Sequence, residues 1–265
     1  MKGRRVVVVV AVALVGLACG SPAAGGGSRD LHDGWLLPPD LLRPWLAPAR
    51  PGRESGPWLA LGQARLYGMP ELPLRGLAAG WRAPRWRAAL AWQRLGADLL
   101  GEERARGQFL VGGRQALGVA AGWDALRLAD APAGRRPVFN LELRLAGPAG
   151  TVLAGSLPLL PAPDWYGRGG ARRWWSVAAA AGEAAWCLAL DRDARGAPLL
   201  EGEGALRVAE GCGLGLRWEP ATGALGLTTA WLRGGLLLRS SHLAHPALGV
   251  THRWSLGVGR GELWP

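Results

Sequence analysis

The chain has 265 residues, among them 31 Lys or Arg, 20 Asp or Glu and 15 Trp, with a net charge of +11. That length accommodates one large domain or two small ones. Lys2 is the only lysine and the arginines are scattered singly, so the charge does not describe a nucleic-acid surface, which clusters both cations.

The opening stretch, "MKGRRVVVVVAVALVGLACGSPAAGGGS", places Lys2, Arg4 and Arg5 before an apolar run from Val6 to Leu17. Twelve apolar residues are too few to cross a bilayer as a helix, so residues 1–19 read as a secretory signal. Without those three cations the exported part keeps +8 (11 − 3). Cys19 is a candidate lipid acceptor of a bacterial lipoprotein signal. Gly16 stands where that pattern carries leucine, so cleavage after Gly20 or Ala23 without lipidation is the alternative.

Residues 20–57 are rich in Gly, Pro and Ser and read as a leader, inside or beside the domain that follows, with one helical turn near Leu41–Leu46. From Trp58 the character changes to short alternating runs separated by turn residues. They fall near 58–67, 75–83, 85–95, 105–112, 115–129, 136–147, 150–158, 172–180, 184–191, 199–208, 211–219, 223–232, 234–243 and 247–259. "LGADLLGEERARG" (95–107) is the nearest candidate for a helix. "LPLLPAPDWYGRGGARR" (157–173) is the longest irregular stretch and the candidate outer loop.

Each run has a bulky apolar face and a small or polar one. Leu117, Val119, Ala121 and Trp123 oppose Gly118, Ala120, Gly122 and Asp124; Leu225, Leu227 and Trp231 oppose Gly226, Thr228 and Ala230. From 248 to 259 the even positions are Leu, Val, His, Trp, Leu and Val, and the odd ones Gly, Thr, Arg, Ser, Gly and Gly. A soluble sheet packs its bulky face inward, and glycine weakens a strand interior. A membrane barrel reverses this: apolar side chains face lipid, small or polar ones face the lumen, and aromatics sit at headgroup level. Trp81, Trp123, Trp218 and Trp231, each near a strand end, fit those girdles.

The predicted fold is therefore all-β, a closed antiparallel transmembrane β-barrel over 58–265, of about fourteen strands with twelve as the alternative. A soluble β-sandwich or propeller is the competing architecture, and with it a tethered lipoprotein acting as a binding module. Glu142, Arg144, Glu203, Arg207, Arg217, Thr228 and Arg253 are predicted to face the lumen, with Glu142 and Glu203 pairing with Arg144, Arg207 and Arg217 in a charge ladder. Cys187 and Cys212 are small strand residues, able to pair only if their strands are close neighbours. His242 and His252 share the bulky parity, with His245 in the turn between. They read as interface-level polar residues rather than a zinc site. No nucleophile elbow, P-loop, zincin helix or Cys-x-x-Cys pair occurs, so no catalytic residue, metal or cofactor is expected.

The last third, "GALRVAEGCGLGLRWEPATGALGLTTAWLRGGLLLRSSHLAHPALGVTHRWSLGVG", resembles the closing hairpins of PorV-like outer-membrane proteins of the fatty-acid-transporter (FadL) superfamily. Its most specific part is "HPALGVTHRWSL", in which His245, Pro246, Leu248, Gly249, His252 and Ser255 match that group's ending. "LALDRDARGAPLLEGEGALRV" (188–208) fits the preceding hairpin. The resemblance implies a barrel of about fourteen strands in the bacterial outer membrane, surrounded by lipid and inserted by the barrel-assembly machinery. It further implies a conduit or a secretion-associated platform for hydrophobic small molecules or exported proteins. The chain departs from the group in lacking an Asn-Pro-Ala-Gly segment, in its small size, and in ending "GRGELWP" rather than on a terminal aromatic.

Overall fold

The computed structural model describes residues 56–70, 73–96, 100–113, 115–128, 131–146, 152–159, 173–181, 184–192, 198–220 and 222–259. The signal with Cys19, the leader before residue 56, and most of the candidate outer loop lie outside the described residues. Apart from one 3-10 turn, Leu66–Gly68, the regular elements among the described residues are strands. These are β1 (Gly56–Arg65), β2 (Pro73–Arg82), β3 (Trp86–Gly96), β4 (Leu100–Gly112), β5 (Gln115–Leu128), β6 (Ala131–Ala146) and β7 (Val152–Pro158). They continue with β8 (Arg173–Ala181), β9 (Ala184–Arg192), β10 (Pro198–Ala209), β11 (Cys212–Glu219), β12 (Ala224–Arg233), β13 (Leu236–His245) and β14 (Gly249–Gly259).

Each strand pairs antiparallel with its neighbours in sequence, as hairpin-length connections require. β1 also pairs with β14, from Trp58 opposite Gly259 to Arg65 opposite His252, and the strand order closes on itself. Closure leaves no row of unpaired N–H and C=O groups at an edge.

The two faces of this ring invert the arrangement of a water-soluble protein. Along β12, Leu225 and Leu227 are 60% and 47% exposed, whereas Thr228 between them and Trp231 is 3% exposed. Leu90, Val111, Leu117, Leu206, Leu216 and Leu238 are likewise exposed, while Glu102, Arg104, Asp124, Glu142, Arg217 and Arg253 are buried. A strand turns alternate residues to opposite faces, so the two-residue rhythm alone sets this sorting.

The bare inner face follows from close backbone approach. A Cβ at Gly122 on β5 would lie 2.0 Å from the Ala105 carbonyl oxygen on β4, and one at Gly118 would lie 2.0 Å from that of Phe109. Trp58 breaks the bulky-out rule. It is buried on the inner face with Gly80 and Gly259 opposite it on the two adjoining strands, and a Cβ at either would meet its side chain within 2.9 Å.

Several sequence expectations need correction. The helix candidate at 95–107 is the end of β3 and the start of β4, because Glu102 and Arg104 turn inward in strand alternation against β5. β4 and β6 each begin five residues before the runs read from 105 and 136. The last hairpin turns only through 246–248, where Pro246 has no N–H to donate; His245 is the final residue of β13 and points inward. Cys187 on β9 and Cys212 on β11 have β10 between them, roughly 9–10 Å of sheet, beyond the ~7 Å a disulfide spans, and Cys212 is a free thiol.

The two rims differ. Where β1 begins and β14 ends, the connections are 83–85, 113–114, 147–151, 182–183, 210–211 and 234–235, none longer than five residues. The opposite rim carries the two longest, the seven residues 66–72 and the fourteen residues 159–172. This second rim is the loop rim.

Candidate functional site: the charged inner face

The functional candidates converge on the inside of the ring, near the loop-rim half of β4–β6. Asp124 on β5 lies between arginines from both neighbouring strands. From β6, Arg136 donates to its Oδ2 through Nε (3.1 Å) and Nη2 (3.0 Å). From β4, Arg106 pairs with its Oδ1, and Arg104 approaches the same oxygen at 3.8 Å. Arg104 also lies 3.8 Å from Glu102 on its own strand. Asp124 and Arg104 are each buried, so the cluster is an ion-paired knot rather than a solvated surface. It arises because β4, β5 and β6 present these residues on inward parity at adjacent register.

Farther along β6, toward the other rim, the buried Glu142 accepts a 2.8 Å hydrogen bond from Ser156 on β7, and Ser156 accepts one of 2.9 Å from Asn140. On the other side of the interior, Arg217 pairs with Glu219 on its own strand, and Glu203 on β10 pairs with Arg239 on β13. β11 and β12 stand between those last two strands, so the pair spans an arc of the wall. Thr228 and Ser241 share a 3.1 Å hydroxyl hydrogen bond across β12 and β13.

The predicted ladder is corrected by this geometry. Glu203 is the backbone partner of Arg217, yet its carboxylate pairs with Arg239, and Glu142 bonds to Ser156 rather than to an arginine. Thr228, Arg217, Arg253, Glu142 and Ser255 are buried, and Glu203 is half-buried. The side chains of Arg144 and Arg207 lie outside the described set. Sequence reasoning missed Arg104, Arg106 and Arg136. The signal in the sequence is Asp124 on a polar face, one strand away from an arginine-rich segment whose charge pattern by itself resembles a helix.

The motif at the last hairpin divides between the faces. His245 packs inward, edge-on to Tyr67 with ring centroids 4.9 Å apart, and Thr251 accepts a 3.1 Å hydrogen bond from the Tyr67 backbone N–H. Pro246 and Leu248 are exposed in the turn, and Gly249 takes a φ of +91° that favours glycine. His242 and His252 are opposite each other on the outer face, their Nδ1 atoms 2.8 Å apart, with Ser240 Oγ 3.1 Å from His242 Nε2. His245 is thus on the other side of the wall from them. Among the described residues, no three His, Cys, Asp or Glu side chains form a group that could hold a metal ion.

No protein-family model matches the sequence, and no curated protein matches it. Among solved structures it is similar to a KdgM porin, at 9% identity and a TM-score of 0.40, over 77% of this chain and 98% of that one. It is also similar to an engineered variant of the Rh. blastica porin, at 7% identity and a TM-score of 0.42, over 78% of this chain and 99% of that one. At these values no conclusion about this chain rests on the likeness.

Proposed function

We propose that the chain is a transmembrane barrel of the bacterial outer membrane, with fourteen wall strands, serving as a conduit whose interior is held by ion pairs. The observation that carries this reading is the inversion of its faces. Apolar side chains from Leu59 on β1 to Val258 on β14 are exposed on a sheet that closes on itself, while carboxylates and guanidiniums are buried within. Charged side chains are almost never fully buried in soluble domains without pairing, and water-exposed apolar surface of this extent is an aggregation hazard. Lipid resolves both, because it solvates the outer face and the closed ladder satisfies the backbone.

Function as a conduit rests on the charged inner wall. Groups of both signs, Asp124 with Arg106 and Arg136, Glu203 with Arg239, give a permeating solute polar partners that exchange for existing ones. The chain is not an enzyme on this reading, and it is inserted by the barrel-assembly machinery. The PorV-like and FadL-like resemblance of the last hairpins supports hydrophobic small molecules or exported proteins as cargo.

Refolding the full chain into lipid vesicles tests the reading. The folded protein runs at a different gel mobility until boiled, and planar bilayers containing it carry an ionic current that rises in Asp124→Asn. A protein that stays soluble without detergent and runs alike heated and unheated contradicts the membrane reading. A folded barrel with no current in either form contradicts the conduit.

A further inference from the structure

The outward arginines among the described residues are unevenly placed. Arg65, Arg75, Arg94, Arg127 and Arg135 all face out on β1, β2, β3, β5 and β6, each within four residues of the end of its strand at the loop rim. Arg75 is opposite Arg94, and Arg94 is opposite Glu103, the one outward carboxylate described in this arc. Glu103 accepts from Trp92 Nε1, and among the described residues no salt bridge joins any of the five arginines to a carboxylate. Arg135 lies 5.3 Å over the ring of Trp123, which holds its guanidinium at the level of an amphipathic indole. At the same rim, the outer face of β11–β14 presents Trp218, Leu225, His242, Ala244 and Val250 instead. On β2–β5 the opposite rim presents Trp81, Trp86, Phe109, Val111 and Leu117.

Five cations along one arc, at the depth where tryptophan marks the headgroups, are costly against hydrocarbon and favourable against phosphate, which a planar guanidinium grips in two-pronged fashion. The longer connections place this rim on the outside of the cell. We infer that the outer wall of β1–β6 at the loop rim docks the phosphate groups of the phosphorylated glycolipid in the outer leaflet. This inference rests on the outer-membrane reading above. It assigns the wall two unlike arcs, one gripping lipid through charge and the other bounded by apolar contact.

The test uses the full chain folded in detergent, with native mass spectrometry counting bound lipid. The wild type is expected to retain the phosphorylated glycolipid at least tenfold more tightly than its dephosphorylated form, with the difference shrinking as salt rises. The triple variant Arg75→Gln, Arg94→Gln, Arg135→Gln is expected to lose that difference, while Arg233→Gln, on the other rim, keeps it. Equal binding of the two glycolipid forms by a barrel that still shows heat-dependent mobility overturns the inference and leaves the membrane reading intact. Equal or tighter retention of phosphatidylglycerol overturns the glycolipid assignment. Loss of heat-dependent mobility in the wild type means that the membrane reading itself has failed.

Discussion

Leu227→Arg separates the membrane reading from a soluble one by magnitude. Leu227 lies three residues from Ala224 and six from Arg233 on the ten-residue β12 and is 47% exposed. The strand centre falls between Thr228 and Thr229. At about 3.3 Å per residue and a tilt of about 40°, Leu227 sits roughly 4 Å from the midplane. An arginine there costs ~2–4 kcal/mol, about thirtyfold to several hundredfold in the folding equilibrium. In water the same exposed site would change stability by no more than about 0.5 kcal/mol. Leu225→Arg, two residues nearer the loop rim, supplies the depth control at about 1 kcal/mol or less. Thr228→Ala, on the inner face, loses only its hydrogen bond to Ser241, about 1 kcal/mol. Urea titration of protein folded in vesicles, read by the heat-sensitive gel shift, measures all three. A Leu227→Arg effect within about 0.5 kcal/mol of zero refutes the lipid-facing assignment, and so does an effect no larger than that of Leu225→Arg.

Other consequences are as direct. Asp124→Asn leaves Arg104, Arg106 and Arg136 facing one another without their shared carboxylate, and is expected to destabilise the barrel by about 3–5 kcal/mol in the same titration, far more than Glu103→Gln on the outer face. Gly122→Ala drives a methyl to 2.0 Å from the Ala105 carbonyl oxygen, so β4 and β5 must shift, at about 1–3 kcal/mol; Gly204→Ala, with open space around it, is nearly neutral. Cys212 is expected to take up one maleimide in unfolding buffer without prior reduction, and a mass change on reduction corresponding to a disulfide with Cys187 counts against the described register.

The sorting of residues between the two faces was determined by the sequence alone. A pleated strand has a side-chain period of two, so the alternation of Leu225, Leu227 and Trp231 with Gly226, Thr228 and Ala230 dictates which residues share a face wherever the strand is placed. Which face looks outward follows nearly as directly, because a face of glycine and charge cannot form a core by itself. Partner choice is different, since it depends on register and curvature. Glu203 and Arg217 are opposite each other in the backbone, yet the ion pair goes to Arg239 three strands along the wall, where side chains converge toward the interior. Likewise, arginines from β4 and β6 meet at Asp124 only once three strands are aligned, and "EERARG" read in isolation has the charge pattern of a helix. Trp58 turns inward because the register places Gly80 and Gly259 opposite it on the neighbouring strands, and one of those pairings exists only because the ring closes. Parity is a local property of the chain; contacts across the interior belong to the closed ring.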